Sequence, residues 1–321
     1  MNNQRLENKL YSLEGLNTIR SKFLVGGVNE LNFKYWGTGI STPSLAETTD
    51  LWCYSLPFTE PHFSSFHLKI QLDETTDQAA RRKSEHTWFV QWLCDFGISF
   101  NGKHLIQPLC GPGHSANALF KADLQQYTGL DISPATVAYA RCRFPKETSF
   151  AKFIQEDILQ WNAPVGFSAD IAFLAYEALN AFPETDGVAL LKKLFHLLKP
   201  GGLLICEVRL SETVVTPTLK RTSIDYLDAG LFYAKPHIAL DEYATTIDGR
   251  HIGHQFLIVP LSDARITAVF RSLLRLYSRQ EIHKTLNEAG YHILFEDNPF
   301  TGRISDVNES QNNLVIIAQR S

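Results

Sequence analysis

The chain has 321 residues, 44% of them hydrophobic and 20% charged, enough to bury a sizeable core as one elaborated domain or two small ones. Its net charge of −4 supplies no basic field for a phosphate backbone and argues against a nucleic-acid partner. The five cysteines, Cys53, Cys94, Cys110, Cys142 and Cys206, form no C-x-x-C and have no histidine at ligand spacing, so they read as buried thiols in a reducing compartment and not as a metal site.

The amino-terminal stretch MNNQRLENKLYSLEG carries acids and lacks an apolar core, which argues against a signal peptide. No segment is apolar for long enough to span a bilayer, so a soluble, cytoplasmic protein without a membrane partner is expected. Residues 1–84 read as an aromatic-rich extension or lid, with a first helix through Leu10, Leu13 and Ile19. A second helix runs through SEHTWFVQWLCDFG, burying Trp88, Phe89, Trp92 and Leu93 and stopping near Gly97.

From residue 104 short apolar strands alternate with helices. HLIQPL, QYTGLDI, FAKFIQED and ADIAFLAY are the first four strands. Ser133-Pro134 predicts a helix start, with serine as N-cap and proline at the first helical position. The helix DGVALLKKLFHLL gathers Leu190, Leu191, Leu194, Leu197 and Leu198 and ends at Lys199-Pro200-Gly201-Gly202, before a fifth strand, GLLICEV. Residues 211 to about 275 break the alternation with extended, antiparallel-prone segments (LFYAKPHIAL, HIGHQFLIV, ARITAVFRSLLRLY), read as a cap insert within a domain spanning 85–321. A capping box at Ser278-Arg279-Gln280-Glu281 opens a last helix, and YHILFE and NLVIIAQ bring the strands of the main sheet to seven. The pattern is that of a doubly wound, mostly parallel α/β sheet.

In such a sheet the ligand lies outside the carboxyl ends of the strands. After the first strand, Gly111-Pro112-Gly113-His114-Ser115-Ala116 fits G-x-G-x-x-A, where glycines let backbone approach a ligand and turn into a helix. After the second comes Asp131, placed to accept both hydroxyl protons of a ribose, with Ile132 beside it. After the third comes Glu156-Asp157, an acceptor for an adenine amino group, with the backbone N–H of Asp157 or Ile158 for a ring nitrogen. Ribose and adenine are both provided for, which fits NAD as well as other adenosyl ligands.

The ensemble of LCGPG, GLDISPATVAYAR, IQEDIL, LLKPGGLLICEV and LYSRQEIHKTLNEAGYHIL resembles the class I S-adenosylmethionine-dependent methyltransferases, over roughly residues 85–210 and 275–321. The resemblance implies S-adenosylmethionine as cofactor, with contacts from Gly111, Gly113, Asp131 and Asp157, and a last strand inserted antiparallel beside the fifth. Two positions depart from the family's D-L-G-C-G run, which here is Gln107-Pro108-Leu109-Cys110-Gly111. Gln107 replaces the acid near the cofactor's ammonium group, and a neutral amide predicts weaker binding there than a carboxylate would give. Leu109 replaces the first glycine.

A dehydrogenase predicts a Tyr-x-x-x-Lys or a His-Asp pair in the second half; Tyr176 is followed by no nearby lysine. A protein that binds S-adenosylmethionine and transfers nothing is the other alternative, and the changes at Gln107 and Leu109 are what suggest it. For methyl transfer, the segment Tyr176-Glu177-Ala178-Leu179-Asn180 after the fourth strand lacks the N-P-P-Y run of nucleic-acid amine methyltransferases, so a small-molecule acceptor is expected. Tyr176 is the candidate for touching the cofactor or orienting the acceptor. His237, in the cap, is the candidate base because imidazole titrates near neutrality. Walls are expected from Trp52, Tyr54, Phe58, Phe63 and Phe66 and from Phe232, Tyr233 and His254. A macromolecular acceptor predicts a basic patch, for which Ala80-Arg81-Arg82-Lys83 is the only candidate run.

Overall fold

The computed structural model describes residues 56–144, 150–213, 220–245, 249–262, 268–300 and 313–321. The expected first helix, with Trp52, Cys53 and Tyr54, lies outside the described residues. In chain order come α1 (Pro61–Gln71), α2 (Lys83–Asp95), β1 (His104–Pro108), α3 (His114–Lys121), β2 (Gln126–Asp131), α4 (Pro134–Arg143), β3 (Ala151–Gln155) and β4 (Ala169–Leu174). They are followed by α5 (Glu184–Leu197), β5 (Leu198–Arg209), β6 (Lys220–Leu227), β7 (His237–Thr245), β8 (His251–Pro260), β9 (Ala268–Arg275), α6 (Arg279–Glu288), β10 (Tyr291–Asp297) and β11 (Asn313–Arg320).

Seven strands form one sheet in the order β10-β11-β5-β4-β1-β2-β3. The run from β5 to β3 is parallel, and β11 is antiparallel to both its neighbours, as the resemblance implied. Side chains alternate between two cores, following the period of two along a strand. Leu204 and Cys206 of β5 and Ile316 of β11 meet Leu190, Leu191 and Leu194 of α5 and Ile282 and Leu286 of α6. Ile205, Val315 and Ile317 turn the other way, toward Phe89 and Leu93 of α2, Leu119 of α3 and Val137 and Ala140 of α4. The sheet is thus doubly wound. The chain runs outward through β1, β2 and β3 and then returns to β4 on the other side of β1, which puts the switch point between β1 and β4.

The capping box of α6 forms as expected: the Glu281 N–H donates to Ser278 Oγ (3.1 Å) and the Ser278 N–H to Glu281 Oε2 (2.8 Å). At α4 the proline is in place, but Ser133 makes no side-chain cap. Its hydroxyl is taken by Thr136 Oγ1 (2.9 Å) and by Ser64 Oγ of α1 (2.8 Å). In α2, Phe89 and Leu93 are buried as expected, whereas Trp88 and Trp92 are half-buried.

Strands β6 to β9 form a second, antiparallel sheet in that order. Its first strand, KRTSIDYL, was not anticipated; it turns Ile224 and Tyr226 outward to solvent, so its apolar positions do not advertise a buried face. Phe232 packs on Phe256 (4.7 Å between centroids) and Phe270 (4.5 Å) of this sheet and on Phe63 of α1 (5.3 Å). Among the described residues no helix is long and apolar enough to cross a membrane.

Candidate active site

The carboxyl ends of β1, β2, β3 and β4 open into a cleft of about 1160 Å3, with α1 and the segment before α2 on one side and the second sheet across from them. Gln107, Leu109, Cys110, Gly111, Asp131, Ile132, Asp157, Ile158 and Tyr176 all line it. The switch point therefore gathers nine of the residues singled out in the sequence.

Past β1 the backbone twists through three left-handed residues, Leu109 (φ 52°), Gly111 (φ 56°) and Gly113 (φ 79°). Leu109 stands where the resemblance would place glycine, and its conformation is one that glycine adopts without cost, whereas an L side chain pays roughly 1–2 kcal/mol. Gly113 does not line the cleft. It faces the other way, and a Cβ there would lie 3.1 Å from the Phe153 ring and 3.3 Å from Phe144, so its role is to let α3 start against β3.

Asp131 ends β2. Its Oδ2 accepts from the Gly111 N–H (3.0 Å) and its Oδ1 from the Ser133 N–H (2.9 Å), which locks the glycine loop to the start of α4. Burial raises its pKa above the usual aspartate value, and the backbone N–H groups offset this only in part. Each oxygen keeps a lone pair for a further donor. Asp157 turns the chain after β3: its Oδ1 accepts from the Leu159 N–H (2.9 Å), with buried Ile158 beside it.

Gln107 is buried and serves the protein itself. Its Oε1 accepts from Tyr127 OH (2.8 Å) and its Nε2 donates to Ser115 Oγ (3.4 Å), which in turn contacts His86 Nδ1 (3.1 Å). Cys110 is held as a neutral thiol, burial pushing its pKa well up.

Tyr176 and Glu177 are both left-handed (φ 53° and 60°), a costly pair of non-glycine conformations that a dense network holds in place. The Tyr176 N–H donates to Glu207 Oε2 (2.8 Å), and its hydroxyl donates to the Asp77 carbonyl. Burial, with Glu177 nearby, raises the phenol's pKa far above its ordinary value, so Tyr176 is a fixed wall and not a proton carrier. Arg81 reaches Glu207 with both terminal nitrogens (3.1 and 2.5 Å) and lies over the Phe300 ring. Asn313 Nδ2 bridges Glu177 Oε1 and Glu207 Oε1, both at 2.8 Å, and Arg209 closes the chain on Glu177 (2.8 Å). The candidate basic run is thereby consumed: Arg81 is 1% exposed, Arg82 pairs with Asp77 and Lys83 with Glu74.

His237 lies outside the cleft, and the base role expected of it has no geometric support. It is 1% exposed, its Nδ1 is 2.7 Å from the Lys235 carbonyl, and its ring packs against Tyr233 and Gly230. The cap histidine that does line the cleft is His254. Phe58 is also at the cleft, whereas Phe63, Phe66, Phe232 and Tyr233 are not.

Gln71, which lines the cleft, and the bracing residues Ser64 and Asn180 were given no role by sequence reasoning. Gln71 closes α1 over the glycine loop, accepting from Thr136 Oγ1 (3.0 Å) while its carbonyl contacts His114 Nε2 (3.2 Å). Ser64 accepts from the Ala135 N–H (2.9 Å). Asn180, fully buried, binds the Arg209 N–H and the carbonyls of Arg209 and Arg275, joining β5 to β9. Gln71 and Ser64 belong to no motif, and Asn180 was quoted only as part of the segment after the fourth strand.

Residues 109–202 match the family described as methyltransferase domain. The trans-aconitate 2-methyltransferase of Methylobacterium radiotolerans is 35% identical over 111 residues, which are 34% of this chain and 38% of that one. Among solved structures, the CcbJ methyltransferase of Streptomyces caelestis superposes with a TM-score of 0.59 at 13% identity, covering 82% of this chain and 99% of its own. CalS10, an amino pentose methyltransferase of Micromonospora echinaspora, gives 0.50 at 18% identity over 74% and 91%. The domain match spans the glycine loop, Asp131 and Asp157, and the chain shares the fold of these methyltransferase structures, with the last strand reversed beside β5.

Proposed function

We propose that the cleft binds S-adenosylmethionine and that the protein transfers its methyl group to a small-molecule acceptor. The observation that carries this reading is Asp131: a carboxylate at the end of β2, desolvated, oriented by the N–H groups of Gly111 and Ser133 and open to the cleft. Those features suit a ribose diol, whose two hydroxyls replace the water that a buried carboxylate has lost. Ile158 and Leu130 offer an apolar wall for an adenine ring and Asp157 an acceptor at its edge. The cleft exceeds what one cofactor fills, and leaves room for an acceptor between the glycine loop and the second sheet.

When bound, S-adenosylmethionine supplies a methyl group on a positively charged sulfur. The chain's own contribution is alignment and exclusion of water, which by itself accounts for a large share of such a rate enhancement. The network of Arg81, Glu207, Asn313, Glu177 and Arg209 fixes the strained Tyr176-Glu177 turn that faces the reacting centre. The name of the trans-aconitate relative supports a small acceptor. The proposal extends to a cytoplasmic setting, in which Cys94, Cys110, Cys142 and Cys206 stay reduced.

Calorimetric titration with S-adenosylhomocysteine, with NADH in a parallel cell, tests the reading. The expected result is micromolar binding of the homocysteine compound that Asp131→Ala weakens at least a hundredfold. Binding of NADH in its place overturns it.

A further inference from the structure

Leu109 combines two unfavourable features. Its backbone is left-handed (φ 52°), a conformation that Gly111 and Gly113 of the same loop adopt without strain. Its side chain is 39% exposed, so packing within the chain offsets little of that strain. Of the large apolar side chains left exposed among the described residues, it alone lines the cleft. Strain retained at the floor of a cleft, on a side chain with little to pack against, points to a partner that arrives with the ligand.

The order of the strands indicates which part of the ligand that is. The sheet runs β4-β1-β2-β3, with neighbouring strands ~4.8 Å apart. On the methyl-transfer reading, adenine lies beyond β3, at Asp157 and Ile158, and the ribose beyond β2, at Asp131. The rest of the cofactor continues in the same direction. The 5′ carbon and the sulfur it carries therefore come next, beyond β1, where Leu109 follows Pro108. The Gly111 N–H bond to Asp131 (3.0 Å) holds this loop beside the ribose site. Ala175 and Tyr176, which follow β4, line the cleft on the far side of the sulfur.

We infer that the Leu109 side chain packs against the sulfur-bearing arm of the bound cofactor and removes it from water, so that this residue selects ligands that carry sulfur on the 5′ carbon. The inference deepens the methyl-transfer reading and rests on it. The surfaces that meet are those of the leucine and of the methylene groups flanking the sulfur, and their burial is gained only with a ligand that has those groups. Adenosine, which ends in a 5′ hydroxyl, gives the leucine nothing to cover. A glycine at this position would relieve the backbone and leave the arm facing water.

Calorimetric titration of Leu109→Gly with S-adenosylhomocysteine and, separately, with adenosine tests this without turnover. The expected result is a loss of about tenfold in affinity for S-adenosylhomocysteine, with a less negative heat-capacity change of binding, while affinity for adenosine stays within about twofold. A Tm of the free variant no lower than that of the parent shows that it is folded. Leu109→Met, which keeps an apolar side chain of similar volume, is expected to bind both ligands within about threefold of the parent. Unchanged or tighter binding of S-adenosylhomocysteine by Leu109→Gly overturns the inference and marks the leucine as a tolerated strain. Equal losses for the two ligands also overturn it, because they report a loosened loop and not a lost contact. So does a Leu109→Met variant that binds S-adenosylhomocysteine as weakly as Leu109→Gly. Each of these results leaves methyl transfer standing, whereas failure of S-adenosylhomocysteine to bind the unaltered protein removes both.

Discussion

At the end of the cleft next to β2, Asp131 takes its orientation from backbone N–H groups of a tight loop; at the opposite end, Asp241 and His254 project as side chains from paired strands. The first arrangement needs glycine-rich turning and an acid at a set distance along the chain, so it leaves a signature that sequence preserves. The second needs only that alternate residues of four strands face one way, and any polar side chain satisfies that geometry. On the proposed reading, the cofactor is met by the first arrangement and the acceptor by the second. The difference teaches that generality in this molecule is carried by backbone and specificity by side chains.

The harshest way to break the comparison is to cut what lies between the two ends. Arg81→Ala leaves Glu207 buried without its cation, and loss of one partner from a buried pair costs about 3–5 kcal/mol. The expected outcome is a marked drop in the denaturation midpoint, largely restored when Arg81→Met is combined with Glu207→Leu. A single Arg81→Ala variant as stable as the parent would show that the pair contributes nothing.

Acidification probes the cap end more gently. His67 and His254 sit near 4 in the folded protein, burial being the main cause in both, against about 6.5 in an unfolded chain. Between those values the unfolded state binds more protons, so stability rises with pH there. It is whole above pH 6.5 and is lost as pH falls toward 4, by on the order of 3 kcal/mol for each ring. In His254→Gln the slope of stability against pH across this window should shrink. An unchanged slope means that the ring is not held neutral.

The smallest effect is expected in the loop at the cofactor end. Leu109→Gly relieves a left-handed conformation while adding freedom to the unfolded chain, for a net gain below about 1 kcal/mol and a rise in Tm of a few degrees at most. Leu109→Val at the same position should lower Tm instead, because branching at Cβ suits positive φ worst.

How much of this was legible in the sequence follows the same division. The alternation of short apolar strands with helices, and the leucines of α5, announced the doubly wound sheet, and the Ser278–Glu281 capping box formed as written. Asp131 and Asp157 were placed by their positions after the second and third strands. The Tyr176 hydroxyl turned out to be bound to Asp77, because what decides its availability is a contact across 99 residues that no local pattern encodes. His237 was chosen over His254 on neighbourhood alone; the two share a face of the second sheet and differ by how far along the strands they lie, which no local pattern encodes. Arg81 hid within a run that looks like a solvated helix face, since its partner Glu207 is 126 residues away.

The network around Tyr176 also has a consequence for the order in which the protein is made. Its members come from positions 81, 177, 207, 209 and 313, and the Asn313 amide bridges the two glutamates. Asn313 also opens β11, the strand that fills the sheet between β5 and β10. During synthesis the glycine loop and Asp131 emerge long before Asn313, so the Tyr176-Glu177 turn is braced well after that loop has been made. β11 thus completes the bracing of this turn, which is tied to completion of the sheet.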